Sequence, residues 1–212
     1  CHGIDISHID LFIPPPPPPL FFDFESGNQG WTVVDGDGNP ANWELGSTMP
    51  GPCEEGGATG QWFYIDDDAA GSGAGPSTDN WLISPDLSSV SEVSFHGDFQ
   101  DMAGDGELTV KASADGGVTW SDAAIFTNDM MPGGFEAYFD SNPSISLLTD
   151  TDKVAFHYSD DSSWAWGALI DNVEFETFPL VSTDIIFETG FEKTPWDKAF
   201  ADNTGWLNSL YG

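Results

Sequence analysis

Short runs of alternating apolar and polar residues, cut apart by glycine- and aspartate-rich turns, constrain this chain more than anything else in it. Leu108-Thr109-Val110-Lys111-Ala112 alternates without a break, and so does Val154-Ala155-Phe156-His157-Tyr158. A two-residue period puts successive side chains on opposite faces of an extended chain, so each run predicts a β-strand. Val90, Val93 and Phe95 mark another, Trp81-Leu82-Ile83 a short buried one, and Leu169 to Phe175 a closing one. Between them stand Asp35-Gly36-Asp37-Gly38-Asn39-Pro40, Gly71 to Pro76, Gly104-Asp105-Gly106 and Asp115-Gly116-Gly117, residue types that accept the tight dihedrals of turns. No long segment carries the 3.6-residue period of an amphipathic helix. The expected fold is all-β, an antiparallel β-sandwich of jelly-roll type.

Charge narrows the partners. The chain has 36 Asp and Glu against 4 Lys and Arg, a formal net charge of −32. Such a surface repels nucleic acid and anionic lipid, and it lacks the cations that phosphate binding requires. Self-repulsion at this density also works against the compact state unless divalent cations or a high-salt medium offset it. The 39% hydrophobic content, with 9 Trp and 16 Phe, is enough to fill a core in 212 residues, so a folded chain is expected. The sequence contains no transmembrane run and no signal peptide; a secreted chain whose signal has been removed reads the same way.

Composition divides the chain into three parts. Residues 1–19 are an arm in which Ile4, Ile6, Ile9, Leu11 and Ile13 alternate with other residues before the proline run Pro14 to Pro19. Six prolines in polyproline II make a stiff spacer of roughly 19 Å at about 3.1 Å per residue. Residues 20–178 hold the strand signals. Residues 179–212 form a tail with an internal echo: apolar Ile185-Ile186-Phe187, then Phe191-Glu192 and Asn203-Thr204-Gly205-Trp206, repeat the order of apolar Leu20-Phe21-Phe22, Phe24-Glu25 and Asn28-Gln29-Gly30-Trp31. The echo is either the opening strand of a second module or a coincidence in a Trp-rich chain. Cys1 and Cys53 are the only two cysteines. They allow one disulfide in an oxidising compartment, and a chain that begins at Cys also fits a processed lipoprotein.

Four motifs fall in a fixed order: Phe22-Asp23-Phe24-Glu25-Ser26-Gly27 with Asn28-Gln29-Gly30-Trp31; Thr78-Asp79-Asn80-Trp81-Leu82-Ile83-Ser84-Pro85; Ser113-Ala114-Asp115-Gly116-Gly117-Val118-Thr119-Trp120; and Trp164-Ala165-Trp166-Gly167-Ala168-Leu169-Ile170-Asp171-Asn172-Val173-Glu174-Phe175. In this order, from about Leu20 to Phe178, they resemble the secreted jelly-roll modules of the MAM and cleaved-adhesin type. The resemblance implies a non-catalytic extracellular module, often stabilised by calcium. It also implies that the acidic residue of the opening strand and the Asp of the closing strand hold a cation together with a loop carboxylate. The matching positions are Glu25 and Asp171, with Asp66 as the third.

The residues themselves give Asp171 a second argument. It lies between Ile170 and Val173 in an apolar run, and a half-buried carboxylate there needs a partner to offset its desolvation. That partner is a metal, or else backbone amides or a hydroxyl. A further calcium candidate is the Asp35–Asn39 turn, where Asp35, Asp37 and Asn39 place oxygens at every second position around flexible glycines. The complete EF-hand pattern is absent. Catalysis finds little footing. There is no His-Glu-x-x-His, no Gly-x-Ser-x-Gly and no phosphate-binding glycine loop, and Cys53 is followed by Glu54 and Glu55 rather than by a group that would activate it.

Trp164 and Trp166 fall on one face of an extended segment, with Trp62, Trp81 and Trp120 as further aromatic candidates. On the solvent side such rings form a glycan-stacking platform; on the other they are core. The combined reading is a non-enzymatic structural or adhesive protein, extracellular or at the cell surface. In one version its terminal arms self-associate into a fibre or sheath. In the other it is a glycan- or matrix-binding module of a larger secreted protein or peptidase.

Overall fold

Twelve strands in two antiparallel sheets account for the ordered framework. The computed structural model describes residues 19–38, 40–48, 58–67, 78–101, 106–127, 137–141, 143–160 and 165–177, all within the unit Pro14–Leu180. The seven-stranded sheet comprises β1 (Leu20–Phe22), β3 (Trp43–Gly46), β4 (Trp62–Asp66), β6 (Val90–Asp101), β9 (Ala137–Ser141), β10 (Ser144–Thr151) and β12 (Ala165–Thr177). The five-stranded sheet runs in the order β2 (Thr32–Asp35), β5 (Asp79–Ile83), β11 (Lys153–Ser159), β7 (Glu107–Ser113) and β8 (Ser121–Thr127). No residue described is α-helical. The antiparallel β-sandwich expected from the alternating runs is what the chain forms.

β12 and β6 are the long central pair of the larger sheet. The outer edge of β12 is shared end to end: β4 pairs with Gly167–Ile170, and β1 with Val173–Phe175. The first strand signal therefore pairs with the last, Phe22 opposite Val173. Between these halves the register shifts, and Asn172 takes a left-handed conformation, φ 50°. A bulge of this kind inserts one residue without a partner. It lets Ile170 and Val173 both face the core while Asp171 turns to the outer face, and Asn tolerates the positive φ that a β-branched residue would resist. The Ile-Asp-Asn-Val motif is thus a bulge with its own stabilising side chain.

Trp31 occupies the space between the sheets, 2% exposed. Its ring stacks on Phe156 of β11 at 5.8 Å and on Phe175 of β12 at 6.3 Å, both 20° from parallel. Phe22 and Phe24 meet it edge-on at 5.6 and 5.8 Å, geometries that favour aromatic pairs. The opening motif holds this arrangement. The Phe24 amide donates to Gln29 Oε1 and the Gln29 amide group to Asp23 Oδ1, while the Gly27 and Trp31 amides close turns onto Phe24 and Asn28 carbonyls. Phe24 itself adopts φ 56°, an uncommon conformation for an aromatic residue, and is fully buried against Phe63 at 5.0 Å.

Candidate functional site

That left-handed turn at Phe24 sends its neighbour, Glu25, away from the core. Glu25 then meets the loop Thr59-Gly60-Gln61, whose Gln61 amide donates to Glu25 Oε1 at 3.1 Å. The same loop reaches Asp171: the Thr59 amide donates to Asp171 Oδ2 at 3.2 Å. Gly60 sits between them with φ +79°, its Cα against the Glu25 carboxylate, so any Cβ would collide there. Asp171 is fully buried. Its remaining bonds come from Asn172, the backbone amide to Oδ1 at 2.7 Å and the side-chain amide to Oδ2 at 3.0 Å. Across the sheet His96 of β6 is its register partner. Burial raises the Asp171 pKa above the ordinary carboxylate value; the Thr59 and Asn172 amides and His96 oppose that rise, and the charge of Glu25 adds to it.

The structure thus brings Glu25 and Asp171 to one loop, from opposite ends of the strand order. Asp66 does not join them. It is the last residue of β4 rather than a loop residue, and it pairs with Gly167. Gly167 to Asp171 is four steps along β12, roughly 13 Å at about 3.3 Å per residue. Among the described residues, no group of three or more His, Cys, Asp or Glu side chains is arranged to hold a metal ion. Three N–H donors, one from Thr59 and two from Asn172, thus reach the Asp171 carboxylate.

The Asp35–Asn39 turn is likewise built on hydrogen bonds. Asp35 Oδ1 accepts from the Asp37 and Gly38 amides at 3.1 and 2.6 Å, an Asx-turn. Asp37 Oδ2 points the other way and accepts from the Asp79 amide and from Asn80 Nδ2. The two carboxylates therefore tie down different pieces of backbone. Asn39 lies outside the described residues.

Trp166 is half-buried on the outer side of the larger sheet, packed with Trp62, Tyr64 and Leu169 into a small second cluster. This is neither a bare platform nor part of the main core. The register shift between Ala165 and Gly167 accounts for it by breaking the simple alternation. Tyr64 anchors the cluster with a hydrogen bond from its hydroxyl to Glu44 Oε2 at 2.9 Å. Burial first, and then Glu44, pushes its pKa up to about 12. Trp164 lies outside the described residues, as do Cys1, Cys53, Ile4, Ile6, Ile9, Leu11, Ile13, Ile185, Phe187, Phe191 and Trp206. No described helix is long and apolar enough to cross a membrane.

On the five-stranded sheet, strand parity separates two sets that composition merges. Leu82, Val154, Phe156 and Tyr158 face inward and are fully buried, whereas Trp81 and His157, their immediate neighbours, face outward. Asp79 lies in the second motif and His157 in an alternating run, with no site role expected of either, yet His157 Nε2 lies 2.7 Å from Asp79 Oδ1. The signal that finds them is the polar phase of the two-residue period.

The family model described as the Cleaved Adhesin Domain matches residues 19–153. Among solved structures, the K1 cleaved adhesin domain of Lys-gingipain from Porphyromonas gingivalis W83 is 23% identical with a TM-score of 0.60, covering 76% of this chain and 99% of that one. The K3 domain of the same protein is 22% identical with a TM-score of 0.54, covering 74% and 98%. These likenesses are of fold. A comparison with curated proteins finds no match.

Proposed function

The chain belongs to the cleaved adhesin domain family, and on that premise we propose that it is a non-catalytic binding module of a larger extracellular protein, attaching it to a glycan or matrix surface. The observation that carries this reading is the family match over the sandwich, joined to a Glu25–Asp171 junction that is hydrogen-bonded into the framework. Glu25 and Asp171 accept backbone amides rather than presenting themselves in a cleft. The −32 net charge directs the module away from nucleic acid and anionic lipid. Calcium at the Glu25–Asp171 junction belongs to the same proposal. A buried carboxylate whose ionisation the Glu25 charge opposes fits a hard divalent cation, which takes oxygen donors and completes its shell with carbonyls and water. Its role is to brace β1 against β12. The fibre reading rests on the terminal arms, which lie outside the described residues, and no observation on the sandwich favours it over the module.

Retention on coated surfaces tests the proposal. Beads bearing the full chain should be held by polysaccharide- or matrix-protein-coated surfaces more strongly than beads bearing an inert protein. Equal retention on every surface overturns the adhesive reading.

A further inference from the structure

We propose that the outer face of the five-stranded sheet is a carbohydrate site, in which the Trp81 and Trp120 rings receive a neutral hexose unit and Asp79 and Lys111 bind its hydroxyls. This rests on the binding-module reading above and names its ligand class and its residues. Trp81 lies on the solvent side of β5, opposite Val34 of β2 and His157 of β11. Its ring packs on the His157 imidazole with centroids 4.2 Å apart and on Trp120 at 5.7 Å, tilted by 50°. The angle between the two tilted indoles is the notch assigned to the sugar ring. Neither ring is in the main core cluster.

The notch is held rigid from both sides. Asp79 Oδ1 contacts both the Trp81 indole N–H, at 3.1 Å, and His157 Nε2, at 2.7 Å, so one carboxylate sets both rings. Lys111 Nζ lies 5.5 Å from the Trp81 ring centroid and pairs with Asp122. On the other side, the Asp-Gly-Gly-x-Thr-Trp motif positions Trp120. Asp115 accepts the Val118 and Thr119 amides and the Thr119 and Ser113 hydroxyls, and Gly116 and Gly117 take φ +73° and +87°. A Cβ on Gly117 would press on the Trp120 ring at 3.2 Å. A turn bonded this thoroughly, at the surface, fixes an aromatic ring that the core does not need. Rings that are already ordered lose little freedom on binding.

Three features select the ligand. Charge excludes nucleic acid and acidic polysaccharides, since Asp79, Glu107 and Asp122 surround the notch on a chain of net charge −32. A protein partner requires a broad interface core depleted of charge. Here the exposed apolar residues Val34, Ile125 and Val118 are interrupted by Lys111, Asp79 and Asp122. A neutral sugar suits both halves of the site, because its C–H face packs on indole while its hydroxyls donate to carboxylates and accept from the Lys111 ammonium.

The test is calorimetric titration of the full chain with neutral oligosaccharides of gluco, galacto and manno configuration, and with an oligogalacturonate as the anionic control. At least one neutral series should bind, and the anionic one should not. Trp81→Ala and Trp120→Ala should each weaken that binding by about tenfold or more. Leu148→Ala, exposed on the other sheet, should leave it unchanged, and unaltered melting of the Trp120 variant excludes misfolding as the cause. Loss of binding in neither indole variant overturns the site, as does failure of every neutral series. If beads still adhere to matrix protein in that event, the module reading stands and only the carbohydrate site falls; if they adhere to nothing, both fall.

Discussion

Glu25 and Asp171, the acidic residues of the first and last strand motifs, are fastened to the same loop by the Gln61 and Thr59 amides at 3.1 and 3.2 Å. The loop supplies hydrogen bonds but no positive charge, so two carboxylates remain near each other and repel. Calcium should relieve this and raise stability by RT ln(1 + [L]/Kd), about 2.7 kcal/mol at a hundredfold excess over Kd. Scanning calorimetry in calcium and in chelator measures the gain. Glu25→Gln should abolish the difference while leaving the chelated protein as stable as before, because it removes a like charge. An identical melting temperature with and without calcium in the unmodified chain contradicts the calcium site.

Asn172 should resist replacement for a backbone reason. Asn172→Val places a β-branched residue at φ 50° and removes the side-chain bond to Asp171, at a cost of about 2–3 kcal/mol. Asn172→Gly loses the bond but keeps the conformation, and should cost about half as much. Equal losses in urea denaturation would show that the bulge geometry is unimportant.

Trp31 stacks on both sheets at once, and Trp31→Ala should cost about 3–5 kcal/mol. Its indole N–H has no hydrogen-bond partner among the described residues, so Trp31→Phe discards a polar group whose burial is unfavourable. The Phe variant should therefore lose well under half of what the Ala variant loses.

Acid should loosen the exposed face of the smaller sheet through His157. Burial holds its imidazole below the ordinary 6.5, against the opposing hydrogen bond and charge of Asp79 and with a smaller push in the same direction from Lys111. The unfolded chain then binds more protons than the native one. Stability is full above 6.5 and is lost as pH falls through 6.5 toward the lower native value. Melting temperatures between about pH 8 and about pH 5 should fall less steeply in His157→Gln than in the unmodified chain.

The Trp120 turn should persist into much stronger acid. Hydrogen bonds from the Thr119 side chain, the Thr119 amide and Ser113 hold the Asp115 carboxyl at about 2, below its ordinary 3.8. Its contribution is complete above 3.8 and disappears as pH falls toward 2. Hydrogen exchange at the Val118 and Thr119 amides should accelerate in Asp115→Ala at neutral pH, and in the unmodified chain only near pH 2.

The alternating runs made much of the fold legible. β5, β6, β7, β11 and β12 all coincide with expected strands, because a residue's face follows from its parity once a strand is extended. The strand that Asp66 ends was hidden for the same reason in reverse. Asp66 is expected on a loop, but the acidic run it begins follows an apolar strand, Trp62 to Ile65, that is buried on both faces. Such a strand shows no alternation to detect. Trp166 escaped because a bulge breaks the phase that the sequence pattern assumes. Glu25 and Asp171 were legible as a pair only through the family resemblance that the ordered motifs carry. The hydrogen-bonded loop between them has no periodicity, and local pattern contains nothing about which loop closes on which strand.

The central claim is that the sandwich binds a surface ligand and leaves it unaltered. The most direct measurement is to saturate the full chain with the bound oligosaccharide, incubate, and recover the ligand for mass spectrometry alongside the calorimetric stoichiometry. The account predicts saturable binding of one ligand per chain and recovery of the oligosaccharide at its original mass. Shortened or modified ligand accumulating with time, or heat that never saturates, would contradict it.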